Sequence, residues 1–170
     1  MFEELALHIL DIAMNSLAAG ARTVRITVIE DPPRDVLLIR IRDDGHGMDA
    51  STLRRVLAKP TTTKTTRRKP IGLGLALLRQ VAEMCDGKFQ IRSAPGAGTT
   101  VTARMKYSHV DRPPLGDLRA TLFALCHAAP DVDIRLRYRR GRERFDFSSK
   151  ESKETSTSAA IAPLVAAKHS

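Results

Sequence analysis

Residues 36–48 read Val36-Leu37-Leu38-Ile39-Arg40-Ile41-Arg42-Asp43-Asp44-Gly45-His46-Gly47-Met48. The spacing predicts a β-strand over 36–43, with Leu37, Ile39 and Ile41 on the side that should be buried. The same parity puts Asp43 with them. A carboxylate at the last buried-side position of a strand requires a hydrogen-bond donor, from the protein or from a ligand. Gly45 and Gly47 let the backbone turn sharply and come close to another group. An Asp-Gly string is also the ordinary composition of a tight turn, so this segment alone names no site.

Upstream, Arg22–Glu30 alternates Val24, Ile26 and Val28 with Arg25 and Thr27. With the turn Asp31-Pro32-Pro33-Arg34-Asp35 between them, the two strands should form a hairpin. Before them, Glu3–Ala19 carries Leu5, Ala6, Ile9, Ile12, Ala13, Ser16 and Leu17 on one helical face, and Gly20 stops the helix. Glu4, His8, Asp11 and Asn15 follow at spacings of four, three and four, a polar stripe on an apolar helix. The stripe is either a solvated face or a pocket wall, and its neighbours Ala18 and Ala19 favour the wall. His8 reads as a polar wall residue and His46 as a solvated turn residue.

Downstream, Ala50–Leu57 should be a short helix, with Asp49 or Ser51 as its cap. Lys59–Pro70 has Thr at five of its first eight positions, two prolines and no apolar residue, which reads as a loop. Gly72-Leu73-Gly74-Leu75 then opens a strongly apolar helix over 73–85, ended by Asp86-Gly87. A glycine-rich helix N-terminus offers free N–H groups and a positive dipole end to phosphate, and Lys64 and Arg67 could add charge-assisted bonds. Strands are expected over 88–93 and 99–107, joined by Ala94-Pro95-Gly96-Ala97-Gly98. Thr99 has the parity of Val101, Ala103 and Met105, so its hydroxyl points to the same side as Asp43.

From Pro113 the character changes. Leu115–Ala128 is a helical pattern, and Asp131–Arg140 alternates Val132, Ile134, Leu136 and Tyr138 with arginines. Arg142–Phe147 should return as its partner around Gly141. From Ser148 to Ser158 the chain is Ser, Lys, Glu, Thr and little else, the composition of a disordered tail. The organisation expected is a core domain over 1–110, an α-β-β appendage over 111–147 and a tail over 148–170.

Composition bounds the function. The chain is 42% hydrophobic, enough for a core. Its longest apolar run, 159–167, is interrupted by Pro163 and falls short of the roughly 20 residues of a membrane span. The acidic start Met1-Phe2-Glu3-Glu4 is unlike a basic secretory leader, and Cys85 and Cys126 have no metal-ligand spacing, so a reducing cytoplasm is expected. The net charge of +9 concentrates in 59–69 and 131–144. With two Tyr and no Trp, stacking platforms for single-stranded nucleic acid are scarce, and a nucleic-acid ligand is the weaker reading.

Taken together, Asp11-x-x-x-Asn15, Asp43-x-Gly-x-Gly, Gly72-x-Gly-Leu and Gly98-Thr99-Thr100 resemble the ATP-binding domain shared by gyrase-type topoisomerases, heat-shock-90 chaperones, histidine kinases and mismatch-repair ATPases. This is the GHKL superfamily with its Bergerat fold, and the resemblance covers about residues 3–108. Leu7–Ile12 and Pro113–Asp117 look more narrowly like small stand-alone ATP-binding proteins of anaerobic bacteria. The resemblance implies an α/β two-layer sandwich, a mixed and largely antiparallel sheet with three helices on one face.

It also implies roles. Asn15 would hold Mg²⁺ at the phosphates. Asp11 stands where hydrolysing members keep a Glu as base, one methylene shorter. Asp43 would accept the adenine amino group, with Gly45, Gly47 and Met48 around the ring and Thr99 supporting the adenine end. Residues 59–70 would be the lid, with Thr63, Lys64, Thr66 and Arg67 near the phosphates, and Gly72, Leu73, Gly74 and Leu75 would hold the triphosphate. The implied function is Mg²⁺-dependent ATP binding. It would serve γ-phosphoryl transfer to a protein partner, as in anti-sigma serine kinases or a detached histidine-kinase catalytic domain. An ATP-gated sensor with negligible turnover and a basic nucleic-acid adaptor are the alternatives. A homodimer is compatible with either nucleotide reading, and no membrane is implied.

Overall fold

The structure is a computed structural model and describes residues 3–58, 73–154 and 157–164. In chain order its elements are α1 (Leu5–Ala18), β1 (Thr23–Asp31), β2 (Val36–Asp43), α2 (Ala50–Ala58), α3 (Leu73–Met84), β3 (Lys88–Ser93), β4 (Thr99–Lys106), α4 (Leu118–Ala128), β5 (Asp133–Arg140), β6 (Glu143–Ser148) and α5 (Thr157–Ile161). Short 3₁₀ turns occupy Pro32–Arg34 and Glu151–Glu154. The strands form one sheet in the order β3-β4-β2-β1-β5-β6. Only β1 and β5 run parallel; every other neighbouring pair is antiparallel. This is the two-layer α/β sandwich expected from the sequence.

Period-2 alternation sorts the sheet into two faces. Val24, Ile26 and Val28 of β1, Leu37, Ile39 and Ile41 of β2, and Val101, Ala103 and Met105 of β4 are buried on one side. Helices α1, α3 and α4 cover that side and contribute Leu5, Ile9, Leu78, Val81, Leu122 and Leu125 to one continuous core. Fully burying each such aliphatic side chain stabilises the fold by about 1.5–3 kcal/mol. Residues 111–147 extend the same sheet and core: Ile134, Leu136 and Tyr138 of β5 lie alongside β1 in register with Val24, Ile26 and Val28.

The opposite face carries the alternate residues and is basic. In one row across the sheet stand Arg92, Thr100, Arg42, Arg25, Arg135 and Ser148; in the next, Gln90, Thr102, Arg40, Thr27, Arg137 and Asp146. The six arginines named are exposed.

Two departures from the sequence reading have local causes. Helix α4 begins at Leu118, not Leu115, because Asp117 caps it by accepting from the amide of Ala120 at 3.0 Å. Pro114 and Leu115 meanwhile lend their carbonyls to the amides of Leu5 and Ala6, at 3.0 and 2.8 Å, which satisfies two otherwise unpaired donors at the start of α1. Gly116, at φ +82, makes this approach feasible, since a Cβ there would meet Glu4 Oε2 at 2.3 Å.

The second departure is the tail. Ser148 ends β6, and its hydroxyl donates to Asp133 at 2.8 Å. The Ser149 hydroxyl accepts from the amide of Ile134 at 2.9 Å, and Ile161 and Leu164 are buried in the core cluster. The apolar pair after the polar run supplies the burial that composition over 148–158 does not.

Candidate functional site

Between the C-terminal half of α1, the end of β2 and the start of β4 lies a cavity of about 190 Å³. Its walls are mostly apolar, with Ile12, Ile41, Met48, Val56, Leu75 and Val101 among them, and its polar members include Asn15, Ser16, Asp43 and Thr99. An apolar cavity of about 150 Å³ takes up a benzene ring, so this one suits a planar heterocycle.

Asp43 is where the strand parity put it, buried at the end of β2 and directly opposite Thr99. Its Oδ2 accepts from Ser16 Oγ at 2.6 Å; its Oδ1 accepts from the amides of Gly45 at 2.9 Å and Thr99 at 3.2 Å. A carboxylate offers about four acceptor positions. Three are filled by the protein, so the fourth, on Oδ2, is left for a donor entering the cavity. The carboxylate is thereby fixed from α1, from its own loop and from β4.

The loop after β2 is tied on both sides. The amide of His46 donates to the carbonyl of Ala19 at 2.9 Å, joining the loop to the end of α1. Asp44 Oδ1 accepts from the amides of Arg22 and Thr23 at 2.8 and 2.9 Å. Burial opposes ionisation of Asp44, but the amides of Thr23 and Arg22 outweigh it and hold the carboxyl below its ordinary value. A Cβ at Gly45 would sit 2.8 Å from Ala19 O. Gly47 adopts φ +69, and a Cβ there would lie 1.9 Å from the carbonyl oxygen of Ala94. Only glycine fits this crossing of two backbones.

Ser93, outside the cavity lining, ties together Met48 and Thr99 of the wall. Its hydroxyl accepts from the amide of Met48 at 2.8 Å, donates to the carbonyl of Gly98 at 3.1 Å and lies 2.8 Å from Thr99 Oγ1. Either hydroxyl of the Ser93–Thr99 pair can be the donor, and Thr99 itself lines the cavity.

The polar stripe of α1 divides. Asn15 lines the cavity, whereas His8 is buried in the protein interior. Asp11 packs against the start of α3: a Cβ added to Gly74 would be 2.9 Å from Asp11 Cβ and 3.7 Å from its Oδ2. Leu75 lines the cavity, and Leu73 is half-buried outside its lining. His46 is exposed at the cavity mouth, its Nδ1 2.8 Å from the carbonyl of Gly47. Thr63, Lys64, Thr66, Arg67 and Gly72 lie outside the described residues, as does the expected loop over 59–70.

Ser16 and Ser93 were not singled out by the sequence reading. Ser16 sits on the apolar face of α1 and passes for a small core residue; Ser93 ends an exposed-looking strand. The signal available was the unmet donor requirement of Asp43, since Ser16 is the one hydroxyl on the buried face of that helix. Among the described residues no group of three or more His, Cys, Asp or Glu could hold a metal. A hard cation here would depend on single oxygen donors such as Asn15 together with ligand oxygens. No helix among the described residues is long and apolar enough to cross a membrane.

Comparison with known proteins shows the family. The chain is 39% identical over 100 residues to the non-motile and phage-resistance protein of Caulobacter vibrioides, covering 55% of this chain and 12% of that one. It is 34% identical over 100 residues to the histidine protein kinase DivJ of the same organism, covering 57% and 17%. The chain thus spans less than a fifth of the length of these relatives. Among solved structures, the Aquifex aeolicus MutL ATPase domain complexed with ADP aligns with a TM-score of 0.53 at 16% identity, over 96% of this chain and 70% of that one. The model of the histidine kinase-, DNA gyrase B- and HSP90-like ATPases matches residues 1–109. The chain belongs to that ATPase family.

Proposed function

We propose that the protein binds ATP with Mg²⁺ and transfers the γ-phosphoryl group to a partner protein. One observation carries the nucleotide reading: Asp43 keeps one acceptor position at the wall of an apolar cavity sized for a heterocycle. An exocyclic amino group is the donor that position fits, and adenine presents one on the same edge where guanine presents a carbonyl. Ile12, Ile41, Met48 and Val101 would take the ring faces, with Gly47 also lining the cavity. Thr99, a hydroxyl at the cavity wall opposite Asp43, would support the same end of the ring. The MutL ATPase domain structure of the same fold was solved with ADP.

The phosphates run towards the start of α3, where free amides and the dipole favour anions. By the family resemblance Gly72 and Gly74 would serve the phosphate end, and Thr63, Lys64, Thr66 and Arg67 would supply further phosphate contacts. Asn15 would hold Mg²⁺ through its side-chain oxygen, and the cation would supply electrostatic stabilisation of the transferring phosphoryl group. Asp11, one helical turn earlier and packed beside Gly74, would receive the proton of an acceptor group as the bond from γ-phosphorus to ADP breaks. The relatives named as histidine kinases favour a protein acceptor over water. Incubation with γ-labelled ATP and candidate partner proteins tests this: label on a partner, lost in Asp11→Asn, supports transfer. Phosphate release with no labelled partner replaces transfer with hydrolysis.

A further inference from the structure

The sheet face opposite the helices takes no part in the nucleotide site. We propose that this face binds the phosphate backbone of double-helical DNA without regard to sequence. The two rows across the sheet place Arg92, Arg42, Arg25 and Arg135 in one line and Arg40 and Arg137 in the next. Five interstrand spacings span about 24 Å, a length over which a duplex carries roughly 14 phosphate charges.

Neutralisation within the face is partial. Asp133 holds Arg135 at 2.6 Å, and Asp146 holds Arg137 and Arg139 at 3.3 and 2.7 Å. Among the described residues, no acid lies within 4.0 Å of Arg25, Arg42 or Arg92. Over β1, β5 and β6 the face dips into a groove of about 480 Å³, whose walls include Arg25, Thr27, Arg135 and Arg137; Asp146 and Glu151 also line it.

The chemistry selects among polyanions. All six cations are Arg, whose planar fork takes two oxygens of one phosphate, and Thr27, Thr100 and Thr102 interleave hydroxyl donors. A protein partner would want an apolar or aromatic centre, and a membrane surface would want apolar anchors. The large exposed apolar residues, Leu7, Met14, Val110 and Phe123, all lie off the sheet. No aromatic ring stands in either row, so unpaired bases find no stacking platform.

The test uses the full chain, without nucleotide, and a fluorescein-labelled 24-base-pair duplex of arbitrary sequence, titrated by anisotropy from 50 to 200 mM KCl. With about four to six phosphates neutralised, log K should fall against log[KCl] with a slope between about −3.6 and −5.4. The triple variant R25Q/R42Q/R92Q should bind at least tenfold more weakly at 100 mM KCl and lose roughly 2.7 from the magnitude of that slope. R119Q, which removes a charge from α4 on the other layer, should match wild type. Circular dichroism and thermal melting establish that each variant is folded. If the triple variant melts before 37 °C, the pairs R25Q/R42Q and R42Q/R92Q are read instead, each expected to lose about 1.8. Three results would overturn the proposal: no duplex binding at 50 mM KCl, folded variants that bind as tightly as wild type, or tighter binding to the matching single strand, to poly-glutamate or to phosphatidylserine vesicles.

Discussion

Ser16 Oγ donates to Asp43 Oδ2 at 2.6 Å, joining the last turn of α1 to the end of β2 across 27 residues of chain. Both residues are buried. This bond fixes which oxygen of Asp43 faces the cavity with acceptor capacity left. Ser16→Ala removes a hydrogen bond to a charged group, worth about 1.5–3 kcal/mol. The expected outcome is a loss of stability of that order by urea unfolding, with ATP affinity reduced at least several-fold. Wild-type ATP affinity in a folded Ser16→Ala protein would show that Asp43 is oriented without it.

Gly47→Ala should be more damaging. The alanine would have to hold φ near +69 while its Cβ occupied the place of the Ala94 carbonyl oxygen. Strain of this kind costs about 3 kcal/mol at its upper end, and the backbone clash adds to it. Gly20→Ala is the comparison: its φ is +74 but nothing lies within 4 Å of the added Cβ. Thermal melting should place Gly47→Ala well below Gly20→Ala. Equal melting points would mean that the loop relaxes away from Ala94 at little cost.

The proposed roles of Asp11 and Asn15 predict that binding and transfer can be separated. Asn15→Ala should remove the Mg²⁺ dependence of ATP binding, since the helix loses its oxygen donor at the cavity wall. Asp11→Asn should leave ATP affinity within a few-fold of wild type and abolish turnover, because the amide keeps the shape and loses the base. Fluorescence titration measures the first and phosphate transfer or release the second. Turnover of Asp11→Asn at the wild-type rate contradicts the base role.

Tyr138 makes the fold sensitive to alkali. Its hydroxyl donates to Glu30 Oε1 at 2.8 Å, and burial first, then Glu30, pushes its pKa well above the ordinary value. The unfolded tyrosine titrates near 10. Stability contributed by the neutral phenol is therefore complete below about pH 10 and is lost as pH rises towards the higher folded value. Urea unfolding between pH 8 and 11.5 should show a steeper alkaline decline for wild type than for Tyr138→Phe. The variant should cost about 1 kcal/mol at neutral pH, where Glu30 loses its donor. Parallel curves would contradict the assignment.

The parts of this architecture that obey a strict period were legible in the sequence. Val36 to Asp43 alternates so regularly that the buried position of Asp43 and the facing position of Thr99 follow from counting by two. What escaped depended on contacts distant in sequence. Ser16 looks like core filler until Asp43 lies opposite it. The start of α4 shifts because the carbonyls of Pro114 and Leu115 are used by α1. Ile161 and Leu164 are held in the core although the polar run before them has the composition of a tail. Such pairings are set by tertiary geometry, which local propensity does not encode.

Calorimetric titration of wild type and Asp43→Asn with ATP and with GTP is the most direct test of the nucleotide assignment. Asp43 left with one acceptor position should bind ATP at least tenfold more tightly than GTP. Asp43→Asn should weaken ATP by about 2 kcal/mol, since a charged acceptor for the amino group is replaced by an amide, and should narrow the preference over GTP. Equal affinity of the wild-type protein for ATP and GTP would contradict it.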